Sequence, residues 1–89
     1  MENRIALIGI VVEKYEQVEK LNALLHRYSE YIIGRMGIPH KSRGISIISV
    51  AMDAPADKIS ALSGSIGMIN GINSKTIYAK AGQNENSDR

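Results

Sequence analysis

Residues 62–73 read Leu-Ser-Gly-Ser-Ile-Gly-Met-Ile-Asn-Gly-Ile-Asn and place three glycines and two serines among apolar residues. A glycine inside a helix costs roughly 1 kcal/mol relative to alanine. That cost is justified where the backbone must turn sharply or another group must approach closely. The segment lies where a helical pattern gives way to a strand pattern, so it is either a structural corner or a binding site.

The residues around this segment predict a helix before it and a strand after it. Apolar residues recur at helical spacing on one face, namely Ile59, Leu62 and Ile66. Residues 53–57 (Asp-Ala-Pro-Ala-Asp) mark the helix start, with the proline in the first turn and Asp57 near the positive end of the helix dipole. The helix should end near Gly67 in the left-handed conformation, and residues 74–80 have the composition of a final strand.

The first half of the chain predicts three strands and one helix. Residues 5–12 are apolar on both alternating faces, as in a central strand. Residues 16–28 form an amphipathic pattern whose apolar face contains Val18, Leu21, Leu25 and Tyr28. Residues 31–38 and 44–52 read as strands, joined by a hairpin at residues 39–43 (Pro-His-Lys-Ser-Arg).

The predicted order is strand, helix, strand, strand, helix, strand, which makes an α+β protein. With short connections and right-handed crossovers, this order closes into a ferredoxin-like sandwich, an antiparallel four-stranded sheet with two helices on one face. A chain of 89 residues supports one domain. Residues 1–80 should form that domain, and the polar residues 81–89 should be a disordered tail.

Two helices can cover only one face of the sheet, yet the third predicted strand is apolar on both faces. One face carries Ile45, Ile47, Ser49 and Ala51, and the other carries Ser46, Ile48, Val50 and Met52. An exposed apolar surface of several hundred Å² is more than a monomer normally presents to water. We therefore expect a homodimer or homotetramer with two-fold symmetry that buries the second face.

Composition argues against several classes of protein. The chain has no cysteine and a net charge of only +2, so thiolate chemistry is excluded and nucleic acid is not an expected partner. Its longest apolar run, residues 5–12, is far shorter than the roughly 20 residues that span a bilayer, so we expect a cytoplasmic protein without a membrane anchor. No nucleophile, base and orienting acid stand at a recognisable spacing, and we do not expect an enzyme.

Three blocks of sequence carry a resemblance to a known family. They lie in residues 24–30, 35–39 and 57–76, and their residues are Leu24-Leu25-His26-x-x-Ser29-Glu30, Arg35-x-Gly37-x-Pro39, and Asp57-x-Ile59-x-Ala61-Leu62-Ser63-Gly64-x-Ile66-Gly67 with Gly71 and Lys75-Thr76. In order and spacing they resemble the small regulators associated with iron-only hydrogenase systems. Those proteins are similar to ACT domains and to the C-terminal sensor domain of the nickel-responsive repressor. The resemblance implies an ACT-like ferredoxin fold, oligomers, and a role in regulation or maturation.

The glycine-serine segment is the first candidate for ligand binding. The hydroxyls and backbone amides of Ser63, Gly64, Ser65 and Gly67 could bind a small polar ligand, as ACT-like domains do at subunit interfaces. The alternative is structural: Gly67 ends the helix and Gly64 lets it lie tightly on a neighbour. The position after Gly64 is often lysine in the family, and Ser65 here makes an anionic ligand less favourable.

Arg35 belongs to the same candidate site and also to the one basic cluster of the sequence. The other members of the cluster are His40, Lys41 and Arg43. Guanidinium groups bind oxyanions in a bidentate manner, so this cluster could bind an anionic metabolite or an acidic partner. The alternative is a solvated hairpin tip.

The similarity to a nickel sensor suggests His26 and His40 as ligands for nickel or iron. Metal sites of this type gather three or four donors. Such a site therefore requires histidines from different subunits of a symmetric oligomer. The alternative is that His26 lies near the C-terminus of a helix, where a cation is favoured, and that His40 is exposed on the hairpin.

The main functional hypothesis is a non-catalytic regulatory or accessory module of an iron-only hydrogenase system. It would act as an oligomer that binds a small ligand or a protein of that system. One alternative is a purely structural or assembly oligomer without a ligand. A further alternative is a transcription regulator that contacts DNA or a metal.

Overall fold

A computed structural model describes residues 2–80 of the protein. The predicted order of strands and helices is confirmed, and the predicted tail at residues 81–89 lies outside the described residues. Short 3-10 turns precede α1, β2 and β3. In chain order the elements are β1 (Asn3–Val12), α1 (Val18–Arg27), β2 (Ile32–His40), β3 (Ile45–Pro55), α2 (Ala56–Gly67) and β4 (Ile72–Tyr78).

The four strands form one antiparallel sheet in the order β2-β3-β1-β4. Helix α1 carries the chain from β1 past β3 to the outer strand β2, and α2 carries it from β3 past β1 to the outer strand β4. This arrangement is the split βαβ topology of the ferredoxin-like fold. The predicted fold class is therefore confirmed.

A single core lies between the two helices and one face of the sheet. Alternate residues of β1 point into it, and so do Leu21 and Leu25 of α1. The predicted apolar face of α2 is confirmed, because Ile59, Leu62 and Ile66 are fully buried. The remaining core residues on the sheet and after α2 are Ala6, Ile8, Ile10, Val12, Ile48, Val50, Met52, Ala54, Ile69 and Ile72.

The opposite face of the sheet, which we call the open face, carries the other alternate residues of the strands and is not covered by either helix. Six large apolar side chains on this face are 42–66% exposed, namely Ile5, Leu7, Met36, Ile38, Ile47 and Ile77. The prediction that β1 and β3 are apolar on both sides is confirmed. Within residues 2–80, only one of those sides is packed.

The expected start of α2 is wrong by one or two residues. Residues 53–55 continue β3, because its pairing with β1 extends as far as Pro55 opposite Asn3. Pro55 is consequently the N-cap residue and not a residue of the first helical turn, which begins at Ala56. Asp57 does lie in that first turn, as expected from the helix dipole.

The expected role of Gly67 as a left-handed terminator is also wrong. Gly67 is the last residue of α2, and the backbone remains helical at Met68. The left-handed residue is Gly71, with φ of 84°, immediately before β4. Its carbonyl accepts a 2.7 Å hydrogen bond from the amide of Glu13, which ties the start of β4 to the end of β1.

Gly71 is therefore the glycine that the corner requires. A Cβ there would lie 2.6 Å from the Cγ of Lys14, and the positive φ disfavours any other residue. Gly44, at the hairpin between β2 and β3, has a similar φ of 68° but open space around its Cα among the described residues. A side chain at either glycine would strain the backbone, but only at Gly71 would it also overlap a neighbouring side chain.

We predict that Gly71→Ala destabilises the protein more than Gly44→Ala. Each substitution forces a left-handed alanine, at about 1–2 kcal/mol, and only Gly71→Ala also displaces Lys14. Urea unfolding of the two variants measures the difference. Adding Lys14→Ala should recover part of the excess for Gly71→Ala and none for Gly44→Ala; equal losses in the two single variants would contradict the steric argument.

Candidate functional site

Ser63 lies on the inner side of α2, toward the last strand. The hydroxyl of Thr76 on β4 donates a part-buried hydrogen bond of 3.2 Å to Ser63 Oγ. Thr76 stands opposite Ile8, on the helix side of the sheet, so the contact joins α2 to the outer strand. The Ser63 hydroxyl therefore has a structural role within the chain.

Gly64, Ser65 and Gly67 are exposed on the outer side of α2. A Cβ added at Gly64 or Gly67 would meet no heavy atom of the described residues within 4 Å. Within residues 2–80, therefore, α2 has no neighbour close enough to require a glycine at position 64. Met68, 86% exposed, continues this outer surface beyond the helix.

Arg35 lies far from these residues, at the other edge of the sheet. It belongs to β2, whereas α2 packs over β4 at the opposite edge. Arg35 lies opposite the buried Val50, so its side chain is on the helix side of the sheet. Its Nη2 donates a 2.7 Å hydrogen bond to Asn22 Oδ1 of α1. The structure thus brings Ser63, Gly64, Ser65 and Gly67 together on one helix but does not bring Arg35 to them.

The basic residues of the hairpin are all exposed. Lys41 and Arg43 lie in the 3-10 turn between β2 and β3, next to His40 at the end of β2. Ser42 Oγ and His40 Nε2 are 3.5 Å apart. This arrangement agrees with a solvated hairpin tip, and Arg35 is separated from it along β2.

The two histidines lie at opposite ends of the domain. His26 is in the last turn of α1, at the end of the sheet where β2 begins, and His40 is the last residue of β2. The eight residue steps of β2 span roughly 26 Å, so one chain cannot place both imidazoles on one ion. Residues 2–80 contain no group of three or more His, Asp or Glu side chains placed to hold a metal.

The structure shows one concave feature that the sequence analysis did not find. A shallow depression of about 220 Å³ lies on the open face, lined by Leu7, Gly34, Arg35, Met36, Ser49 and Ala51. Its small residues are Gly34, Ser49 and Ala51, which the pairing of β2 with β3 brings side by side. The small residues are visible in the sequence, but their alignment depends on the strand register.

The strand order, the single core and the uncovered sheet face together define a ferredoxin-like α+β domain. A family model described as "Iron-only hydrogenase system regulator, putative", of the TM1266-like family, matches residues 4–76. The chain therefore belongs to this family, and the resemblance found in the sequence is confirmed.

A solved structure gives the same result. It is described as "The structure of uncharacterized protein TM1266 from Thermotoga maritima", is 39% identical, and superposes with a TM-score of 0.84. The match covers 89% of this chain and 100% of that one. A search of curated proteins gave no match.

Neither helix within residues 2–80 has the length and hydropathy to cross a membrane. The helices α1 and α2 contain ten and twelve residues.

We predict that Ser63→Ala destabilises the fold by about 1 kcal/mol, because it leaves the part-buried Thr76 hydroxyl without its acceptor. Ser65→Ala on the exposed side of α2 is the matched control and should be neutral or slightly stabilising, since alanine is the better helix former. Thermal and urea unfolding measure both changes. In a double-mutant cycle with Thr76→Val, additive losses for Ser63→Ala and Thr76→Val would contradict a direct contact.

Proposed function

We propose that this chain is a non-catalytic regulatory or accessory module of an iron-only hydrogenase system, and that it binds a small ligand or a partner protein as a homo-oligomer. Membership of the regulator family supports the connection to the hydrogenase. The proposal includes a cytoplasmic location and a protein of the hydrogenase system as the partner. It requires no reaction at the chain itself.

The observation that carries this proposal is the outer surface of α2. Gly64 lies inside this helix, where glycine costs about 1 kcal/mol relative to alanine, and Gly67 lies one turn later, at the last residue of the helix. No described residue of the chain approaches either Cα closely enough to require a glycine. A group from another molecule would account for both, since glycine allows the closest approach to a backbone.

The candidate binding surface therefore consists of Gly64, Ser65 and Gly67, with Ser63 behind them. The exposed Ser65 hydroxyl supplies a polar group beside the bare helix backbone. Ser63 has already accepted the Thr76 hydroxyl and would contribute through its position. A ligand at this surface would be small and polar, or would be the backbone of a partner segment.

Oligomerisation decides whether the other candidate residues can contribute. Arg35 lies at the far sheet edge from α2, so it can join the α2 surface only from a second subunit. His26 and His40 likewise require different subunits to share a nickel or iron ion. The proposal thus allows a site between subunits, as a homodimer or homotetramer would provide.

We predict that alanine at Gly64 or Gly67 stabilises the single chain but weakens its assembly or binding. Gly64→Ala and Gly67→Ala should raise the free energy of unfolding of the dissociated chain by up to about 1 kcal/mol each, through helix propensity. They should weaken whatever assembly or binding uses this surface. Light scattering and urea unfolding across a range of protein concentrations measure the two effects.

Ser60→Ala, at another exposed position of α2, is the matched control. It increases helix propensity without adding bulk beside Gly64 and Gly67. If the glycine variants change neither assembly nor any binding response, the α2 surface is not the binding surface. If they dissociate an oligomer that responds to no ligand, the purely structural oligomer is the better description.

Native mass spectrometry of the purified protein tests the core of the proposal. We expect a dimer or tetramer, with a thermal shift in the presence of nickel, iron, an amino acid or a nucleotide, or binding to a purified hydrogenase-system protein. A monomer without any such response would overturn the proposal.

The regulatory role is tested in cells. Removal of the gene should change hydrogenase activity, and comparison with hydrogenase transcript levels separates transcriptional from post-translational action. Unchanged activity and transcripts under hydrogenase-inducing conditions would contradict a regulatory role.

A further inference from the structure

We propose that the open face is the interface of a symmetric homodimer, in which Asp53 of each protomer pairs with Lys75 of the partner subunit. This inference rests on the oligomeric part of the proposed function, but it concerns a different surface from α2. The occupant of the open face is thus a second copy of the same chain.

The open face has the size and composition that such an interface needs. Four strands about 4.8 Å apart and about eight residues long cover roughly 500 Å² in projection. Two copies would together bury on the order of 1,000 Å², the size at which specific interfaces begin. Six large apolar side chains on this face are 42–66% exposed in the single chain, so their burial favours association.

Charges on this face are few and opposite in sign. Among the strand residues that face away from the helices, Asp53 and Lys75 are the only Asp, Glu, Lys or Arg. Asp53 stands opposite Ile5 on one neighbour of β1, and Lys75 stands opposite Gly9 on the other neighbour. Two strand spacings and four residue steps place their Cα atoms roughly 16 Å apart, so they do not pair within one chain.

Leu7 lies midway between these two charges. Asp53 is one strand to one side and two residues back from it, and Lys75 is one strand to the other side and two residues forward. A two-fold axis in the plane of the interface, passing beside Leu7 at right angles to the Asp53–Lys75 line, exchanges the two positions. Each Asp53 then meets Lys75 of the partner subunit, and the pair forms twice.

The same axis also matches the apolar surface to itself. The axis runs from Leu7 across the depression toward Met36. Met36 lies two strands from Leu7, on the Asp53 side, and two residues forward along β1, so the line from Leu7 to Met36 is nearly perpendicular to the Asp53–Lys75 line. The small residues there, Gly34, Ser49 and Ala51, allow the two sheets to approach. The rotation brings Ile5 near Ile77 of the partner subunit, and the strands cross at roughly 70°, near the orthogonal class of sheet packing.

Charge reversal tests the proposed pairing directly. Asp53→Lys places two lysines together at each pair and Lys75→Glu places two carboxylates together, so each should raise the dimer dissociation constant at least about tenfold. The double variant Asp53→Lys/Lys75→Glu restores opposite charges and should return to within about threefold of the parent. Analytical ultracentrifugation across a concentration series measures all four proteins.

Two controls separate the interface from folding and from net charge. Lys20→Glu reverses an exposed charge on α1, across the sheet from the open face, and should leave the dissociation constant unchanged. Leu7→Lys should abolish the dimer while Tyr15→Lys, at a 62% exposed residue of the turn before α1, should not. Circular dichroism establishes that each variant remains folded.

The outcomes distinguish this inference from the proposed function. A parent protein that is monomeric at tens of micromolar overturns both the interface and the oligomeric part of the function. A parent oligomer whose dissociation is insensitive to the charge reversals and to Leu7→Lys overturns the open-face interface alone. Single variants that dissociate without rescue by the double variant overturn the Asp53–Lys75 pairing.

Discussion

The structure depends on the antiparallel pairing of β1 with β3. These two central strands are hydrogen-bonded over ten residue pairs, from Asn3 opposite Pro55 to Val12 opposite Ser46. Both carry apolar residues on both faces, and the two helices pack on the same face. The buried face forms the core, and the other face remains available for contact.

The same pairing determines what the ends of the strands do. Because the pairing of β3 continues to Pro55, this proline is the N-cap residue of α2 and the helix starts at Ala56. At the end of β1, strand β4 pairs with it only after the chain turns at Gly71. The Gly71 carbonyl accepts a hydrogen bond from the Glu13 amide there. The glycine-serine segment thus contains one glycine required by the turn and two, Gly64 and Gly67, that the turn does not require.

The domain therefore presents two surfaces without a partner inside residues 2–80, the outer side of α2 and the open face of the sheet. The first is small and polar, with helix backbone accessible beside Ser65. The second is broad and apolar, with Asp53 and Lys75 placed symmetrically about Leu7. Under the proposed function, the first surface would bind a ligand or a partner protein, and the second would bind another copy of the chain.

The sequence by itself determined the element order, the buried faces of both helices and the two-sided apolar character of the central strands, because periodicity directly reflects which residues meet the core. It did not determine which glycine turns the chain, since Gly67 and Gly71 are equally permissive and only the closure of β4 on β1 selects Gly71. Tertiary structure alone separated Arg35 from α2 and aligned Asp53, Leu7 and Lys75. Those relations depend on strand order and register, which join residues far apart in the chain.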